Sequence, residues 1–189
     1  MTRLDLVVGP NGAGKTSFIT SVLRLAHPAS LFVNADEIAK VRWPGEEEAR
    51  SYEAAAAAAD ARAALIVAQR AFIAETVCSH PSKPMLIDDA HASGYNVALH
   101  VMLVPLELSK ARVTCRVAAG GHSVPTNKIE GRYARLWSVV AEAIDRCDTA
   151  SCWDNSSYDG PVKVGAFTYG EPDWPPRWPA WTPSELAVR

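Results

Sequence analysis

The sequence has few cysteines, little net charge and no long apolar run, and each shortage removes a class of protein. Its four cysteines, Cys78, Cys115, Cys147 and Cys152, form no CxxC pair and have no paired histidines beside them. That spacing argues against a zinc site and fits reduced thiols in a cytoplasmic setting. The 19 basic residues nearly balance 21 acidic ones, leaving a formal net charge of −2. No global positive field draws the chain to nucleic acid, and no basic amphipathic stretch draws it to a membrane. No apolar run approaches the roughly 18 residues of a membrane span. The opening "MTRLDLVVG" lacks the apolar stretch of a secretory signal and reads at once as a strand. Also absent are LSGGQ, the transporter-ATPase signature, and NKxD, the guanine reader.

What is there suits one domain with a tail: 189 residues, 48% of them hydrophobic. A chain of this length can bury about 70% of its unfolded surface. Strands are expected at Leu4–Val8, Leu31–Asn34, Ala71–Thr76 and Tyr95–Val104. Helices are expected at Thr16–Ala26, Glu46–Gln69, Glu107–Ala119 and Asn127–Arg146, with another capped by Ser82, carrying Pro84 in its first turn and stopping at Gly94. This alternation favours an α/β fold with a mainly parallel sheet covered on both faces. Residues 1–169 read as the domain, with a helical, arginine-bearing lid around 107–146. Gly170–Pro183 holds five of the 13 prolines and three of the six tryptophans, which excludes helix and central strand. An extended tail is expected over 170–189, its tryptophans packed back on the domain.

Gly9-Pro10-Asn11-Gly12-Ala13-Gly14-Lys15-Thr16 fits GxxxxGK[ST] at every fixed position, between a strand and a helix. The glycines let backbone N–H groups approach phosphate oxygens, and the helix start adds partial positive charge. Lys15 suits the outer phosphates and the Thr16 hydroxyl suits Mg²⁺, with Ser17 as a neighbour. The loop fixes a nucleotide and Mg²⁺ but not the reaction.

A hydrolysing machine usually carries an apolar strand ending in Asp. The candidate "MLIDDA" falls inside a helical stretch, so Asp88 and Asp89 read as solvated. A kinase needs a base for the acceptor hydroxyl and cations for the transferring phosphoryl. Asp36, just past the second strand, is either that base or the cap of the following helix. Arg112 and Arg116 share a helix face. Arg132 and Arg135 follow on the next helix, across Gly120-Gly121-His122. Such a hinged pair suits closure over phosphates, against the bland alternative of solvated helix charges. Glu75 and Thr76 end the third strand at the same sheet edge and suit a polar substrate. His80 and His122 are single loop histidines without ligand spacing.

In combination, "GPNGAGKTSF", "FVNADEIA", "FIAETVCSHPSK", "ASGYNVALHVMLV" and "ARVTCRVAAGGHSVPTNKIEGRYARL" resemble the zeta-toxin family of P-loop kinases. They are most similar to its compact branch, often labelled predicted ABC-type ATPase. The resemblance implies a three-layer sandwich with a sheet of about five strands, and ATP or GTP with Mg²⁺. It implies transfer of phosphate to a nucleotide sugar such as UDP-N-acetylglucosamine, and an antitoxin protein as a partner. Carried onto this chain, Lys15 holds the β/γ-phosphates, Thr16 the Mg²⁺, Asp36 is the base, and Arg116 and Arg132 match the phosphate-stabilising arginines. Arg112 or Arg135 could replace either. Glu75-Thr76-Val77 stands where the family has a substrate-binding EGT stretch. The competing reading is a P-loop ATPase or switch acting through a partner protein.

Overall fold

In the computed structural model, residues 1–79, 85–118 and 125–189 are described. The expected cap Ser82, Pro84, His80 and the Gly120-Gly121-His122 hinge lie outside the described residues. Seven strands form one sheet in the order β2-β3-β1-β4-β5-β6-β7. They are β1 (Thr2–Val8), β2 (Leu31–Val33), β3 (Phe72–Thr76), β4 (Tyr95–Leu103), β5 (Thr149–Asp154), β6 (Val162–Thr168) and β7 (Glu171–Pro172). The first five in that order run parallel, while β6 and β7 add an antiparallel edge. The five parallel strands match the expected core, and the sheet exceeds it by two strands.

Alternation along β1 explains the layering. Leu4, Leu6 and Val8 point to one face, Val7 to the other, and all are buried. The first face carries the larger core, closed by α4 (Ser51–Val67), α5 (Met85–Ala92), α7 (Thr126–Arg146) and the short α8 (Ser184–Ala187). The second face is covered by α1 (Lys15–Phe18), a π-helical turn Ile19–Leu23 and α6 (Leu106–Ala118), and the short α2 (Arg24–Ala26) that follows the turn is exposed. Both faces being covered, β4 is apolar along nearly its whole length.

Three sequence expectations shift. The helix expected over Glu46–Gln69 begins only at Ser51, because Pro44-Gly45 and the turn closed by Glu46 N–H to Trp43 O occupy the approach to it. The second strand stops at Val33, and Asn34 starts α3 (Ala35–Arg42) instead. The proline-rich stretch is extended, as expected, but joins the sheet. After β7, Asp173 and Arg177 donate backbone N–H groups to Ala166 and Val164 of β6. Trp178 stacks on Phe167 at 6.3 Å, and Trp178 and Trp181 pack against the main core. The loop–helix stretch "MLIDDA" lies in α5, so it supplies no strand-end carboxylate.

Candidate phosphate-transfer site

The site grows from the C-terminal ends of β1, β2 and β3. Where β1 ends, Gly9 adopts φ 145°, and a Cβ there would run into the Met102 carbonyl. Gly12 sits at φ 71°, with a would-be Cβ 2.9 Å from Ser109 O. Neither position admits a side chain. The loop is braced from outside by three distant residues. Ser109 Oγ donates to Asn11 O at 2.6 Å, Asn155 Nδ2 to Ala13 O at 2.9 Å, and Arg112 Nη1 to Gly12 O at 3.4 Å. Carbonyls engaged on the outer side suit a loop whose N–H groups serve its inner side.

Lys15 is buried, and its ammonium donates to Gly9 O and Pro10 O, each at 3.0 Å. Its third neighbour is the Glu75 carboxylate, 4.0 Å away. Burial pulls the Lys15 pKa down, opposed by Glu75 and Asp36, with Arg116 and Arg132 adding to the lowering. All four charged groups of the expected machinery are therefore electrostatically felt at one ammonium.

Glu75 is the hub of this end of the site. Parallel pairing sets Val7 beside Glu75 and Val8 beside Thr76, which brings the end of β3 next to the loop. Thr16 Oγ1 donates to Glu75 Oε2 at 2.9 Å and Asn34 Nδ2 donates to the same oxygen at 2.8 Å. The Thr16 hydroxyl has one proton, and Glu75 takes it, so the lone pairs of that oxygen remain for a cation. Two hard oxygen donors beside a phosphate loop are the donor set Mg²⁺ prefers. The residues present thus fit the metal the sequence implies.

Asn34 also settles the open question at the start of α3. Its side-chain oxygen accepts the N–H groups of Asp36 at 2.7 Å and Glu37 at 3.1 Å, so Asn34 is the cap. Asp36 is not needed there. Its carboxylate is exposed, makes no hydrogen bond with any described residue, and lines a cleft of about 410 Å³. The same cleft is lined by residues 11–17, Asn34, Glu75, Thr76 and Arg116. An adjoining hollow of about 160 Å³ brings Asp36 and Arg116 together with Lys128 and Arg132.

The four arginines therefore divide. Arg116 and Arg132 line the cleft and its hollow, facing Asp36. Arg112 lies against the loop carbonyl, and Arg135 lies along α7 beside Gly131; neither lines these spaces. Sequence reasoning missed Asn34, Ser109, Asn155 and the cleft-lining Arg62. An Asn preceding Ala-Asp-Glu is a readable cap signal. Ser109 and Asn155 act across 98 and 142 residues of chain, and no local pattern marks them.

Comparison with known proteins agrees with this geometry. The zeta toxin family pattern matches residues 3–155. Among curated proteins, no sequence matches. Among solved structures, the AvrRxo1-ORF1:AvrRxo1-ORF2 complex crystallised with sulphate ions superposes with a TM-score of 0.74 at 19% identity, over 92% of this chain and 60% of that one. The same complex with ATP gives 0.73, with the same identity and coverage. A chain of the PezAT chromosomal toxin-antitoxin system of Streptococcus pneumoniae gives 0.67 at 13% identity, over 88% of this chain and 71% of that one. The chain thus spans about 60% of the AvrRxo1 protein it matches. Identities this low establish a shared P-loop kinase-like fold, and the family pattern, which spans the whole site, establishes descent: the chain belongs to the zeta toxin family.

Proposed function

We propose that this chain is a kinase that transfers the γ-phosphate of ATP or GTP to a hydroxyl of a small molecule, in the first instance a nucleotide sugar of the UDP-N-acetylglucosamine kind. The observation that carries this reading is Asp36: relieved of capping by Asn34, it presents a carboxylate to the same cleft as Lys15. A transferase needs a base for its acceptor, and the exposed carboxylate of Asp36 lies in the cleft where that acceptor would meet the loop.

The roles follow from position. Lys15 and the loop N–H groups hold the outer phosphates. Thr16 and Glu75 would hold Mg²⁺, which when bound neutralises charge on the β- and γ-phosphate oxygens. Asp36 accepts the proton of the acceptor hydroxyl. Arg116 and Arg132, facing Asp36, stabilise negative charge on the transferring phosphoryl, where a planar guanidinium can bind two oxygens at once. Family membership and the PezAT likeness favour an antitoxin protein as partner, blocking this cleft. No described helix is long and apolar enough to cross a membrane.

The test is an acceptor screen. Purified protein, labelled ATP, Mg²⁺ and a panel of nucleotide sugars should yield a labelled acceptor. Asp36→Asn should lower transfer by about 10²- to 10⁴-fold while ATP binding persists. Fast ATP hydrolysis with no labelled acceptor, unaffected by Asp36→Asn, would instead identify an ATPase acting through a partner.

A further inference from the structure

A second cavity of about 270 Å³ adjoins the cleft. It runs beneath α5, between the sheet and the alanine-rich face of α4. Ile66, Met85 and Leu86 give it apolar walls, and Asp89 gives it a carboxylate. It meets the main cleft at three shared residues: Arg62, Glu75 and Thr76. Two of these three are already bonded. Glu75 accepts from Thr16 and Asn34, and Thr76 Oγ1 accepts the Cys78 N–H at 3.2 Å.

Arg62 is different. It projects from α4, half-buried, at the junction of the two spaces. Among the described residues it makes no hydrogen bond and no ion pair. Asp89 lines the same cavity and does not pair with it. Burial pulls its pKa down with no carboxylate to oppose the shift. A half-buried guanidinium without a counter-charge is costly, because its five donors forgo water without replacement. Three other arginines among the described residues have carboxylate partners: Arg3 has Asp5, Arg50 has Glu46 and Glu53, and Arg189 has Asp145. An arginine with no partner among the described residues, at the mouth of an apolar cavity, suits an anion that arrives with a ligand.

We propose that Arg62 grips a phosphate or diphosphate of the acceptor, and that the cavity beneath α5 seats the acceptor's non-reacting end. This rests on the kinase reading above, which places the reacting hydroxyl by Asp36 in the main cleft. An acceptor spanning both spaces passes Arg62 between its reactive and its distal ends. The apolar walls take a planar or aliphatic group, and Asp89 accepts from any N–H it carries. The arrangement makes Arg62 a specificity residue, since a neutral acceptor leaves it unpaired and is selected against.

The probe is UDP-N-acetylglucosamine, titrated by calorimetry into the full chain loaded with Mg²⁺ and a non-hydrolysable ATP analogue. Wild type should bind it, and free N-acetylglucosamine should bind far more weakly. Arg62→Ala should weaken the nucleotide sugar by about tenfold or more and leave the free sugar and the ATP analogue unchanged. Arg62→Lys, which keeps the charge but not the fork, should recover part of the loss. Ala59→Phe, on the wall of the second cavity, should weaken the nucleotide sugar without touching the ATP analogue. Matching melting curves establish that each variant is folded. Equal affinity of wild type and Arg62→Ala overturns the inference even if the protein transfers phosphate. Failure of wild type to bind the nucleotide sugar at millimolar concentration also overturns it. Arg62-dependent binding without transfer to any acceptor overturns the kinase reading while leaving Arg62 as an anion site.

Discussion

The phosphate loop and the arginine-bearing helices that face the same cleft are built in different physical ways. The loop is fixed from several directions. β1 delivers it, Ser109, Arg112 and Asn155 brace its carbonyls, and Glu75 ties Thr16 to the next strand. On the arginine side, Arg116 is exposed near the end of α6, and Arg132 stands on the second turn of α7. A donor site gains from rigidity because the nucleotide's phosphates are the same in every turnover. Groups that stabilise developing charge contribute only as the reaction proceeds.

The contrast can be broken first at its rigid end. Lys15→Ala should abolish transfer, by about 10³-fold or more in kcat, because the buried cation is what the outer phosphates meet. A rate assay under saturating ATP checks this. On the arginine side, Arg116→Ala and Arg132→Ala should each lower kcat by about 10²- to 10³-fold. Arg112→Ala and Arg135→Ala, whose side chains lie elsewhere, should stay within about threefold of wild type. An equal loss at all four positions would mean that the working arrangement of these helices differs from the one described.

A smaller effect separates two residues only two positions apart. Asn34→Ala removes the α3 cap and one of Glu75's donors, and should lower stability by about 1 kcal/mol in urea unfolding. Asp36→Asn should change stability by less than that while removing activity, which unfolding and transfer assays on the two variants would separate.

The smallest expected effect lies in the sheet beneath the loop. Asp5 is fully buried, accepting from Arg3 Nη2 at 2.7 Å and pairing with His100 Nε2 at 2.9 Å. Burial raises its pKa, but the bonds from His100 and Arg3 outweigh this and hold it below 3.8. A depressed carboxylate stabilises the fold above its unfolded pKa and loses that contribution as pH falls through the folded value. Unfolding titrations should therefore show stability falling below about pH 4, with a shallower fall in Asp5→Asn.

Much of the donor half was legible because its signals are local. Glycine spacing marks the loop, and apolar periodicity marks β1, β4, α6 and α7. The acceptor half was less so. Glu75 read as a substrate-binding residue, and only the strand order β2-β3-β1 sets it against Thr16. Strands β5 and β6 carry Ser151, Lys163 and Gly165 among their residues and are defined by their neighbours, so pattern alone did not announce them. Arg62 sits in a run of alanines that reads simply as helix. Its meaning comes from what surrounds it in space. Asp36 stayed ambiguous between base and cap until Asn34 was seen in the capping position.

The edges of the sheet have a consequence for handling the protein. At one side β2 offers only three residues; at the other β7 offers two, one of them Pro172, and the following chain already donates to β6. Unpaired strand edges are where foreign chains attach and aggregates begin. Both borders here are too short or too occupied to recruit another strand. Trimming residues 170–189 would uncover β6 and should make the remaining chain more prone to precipitate on concentration than the full one.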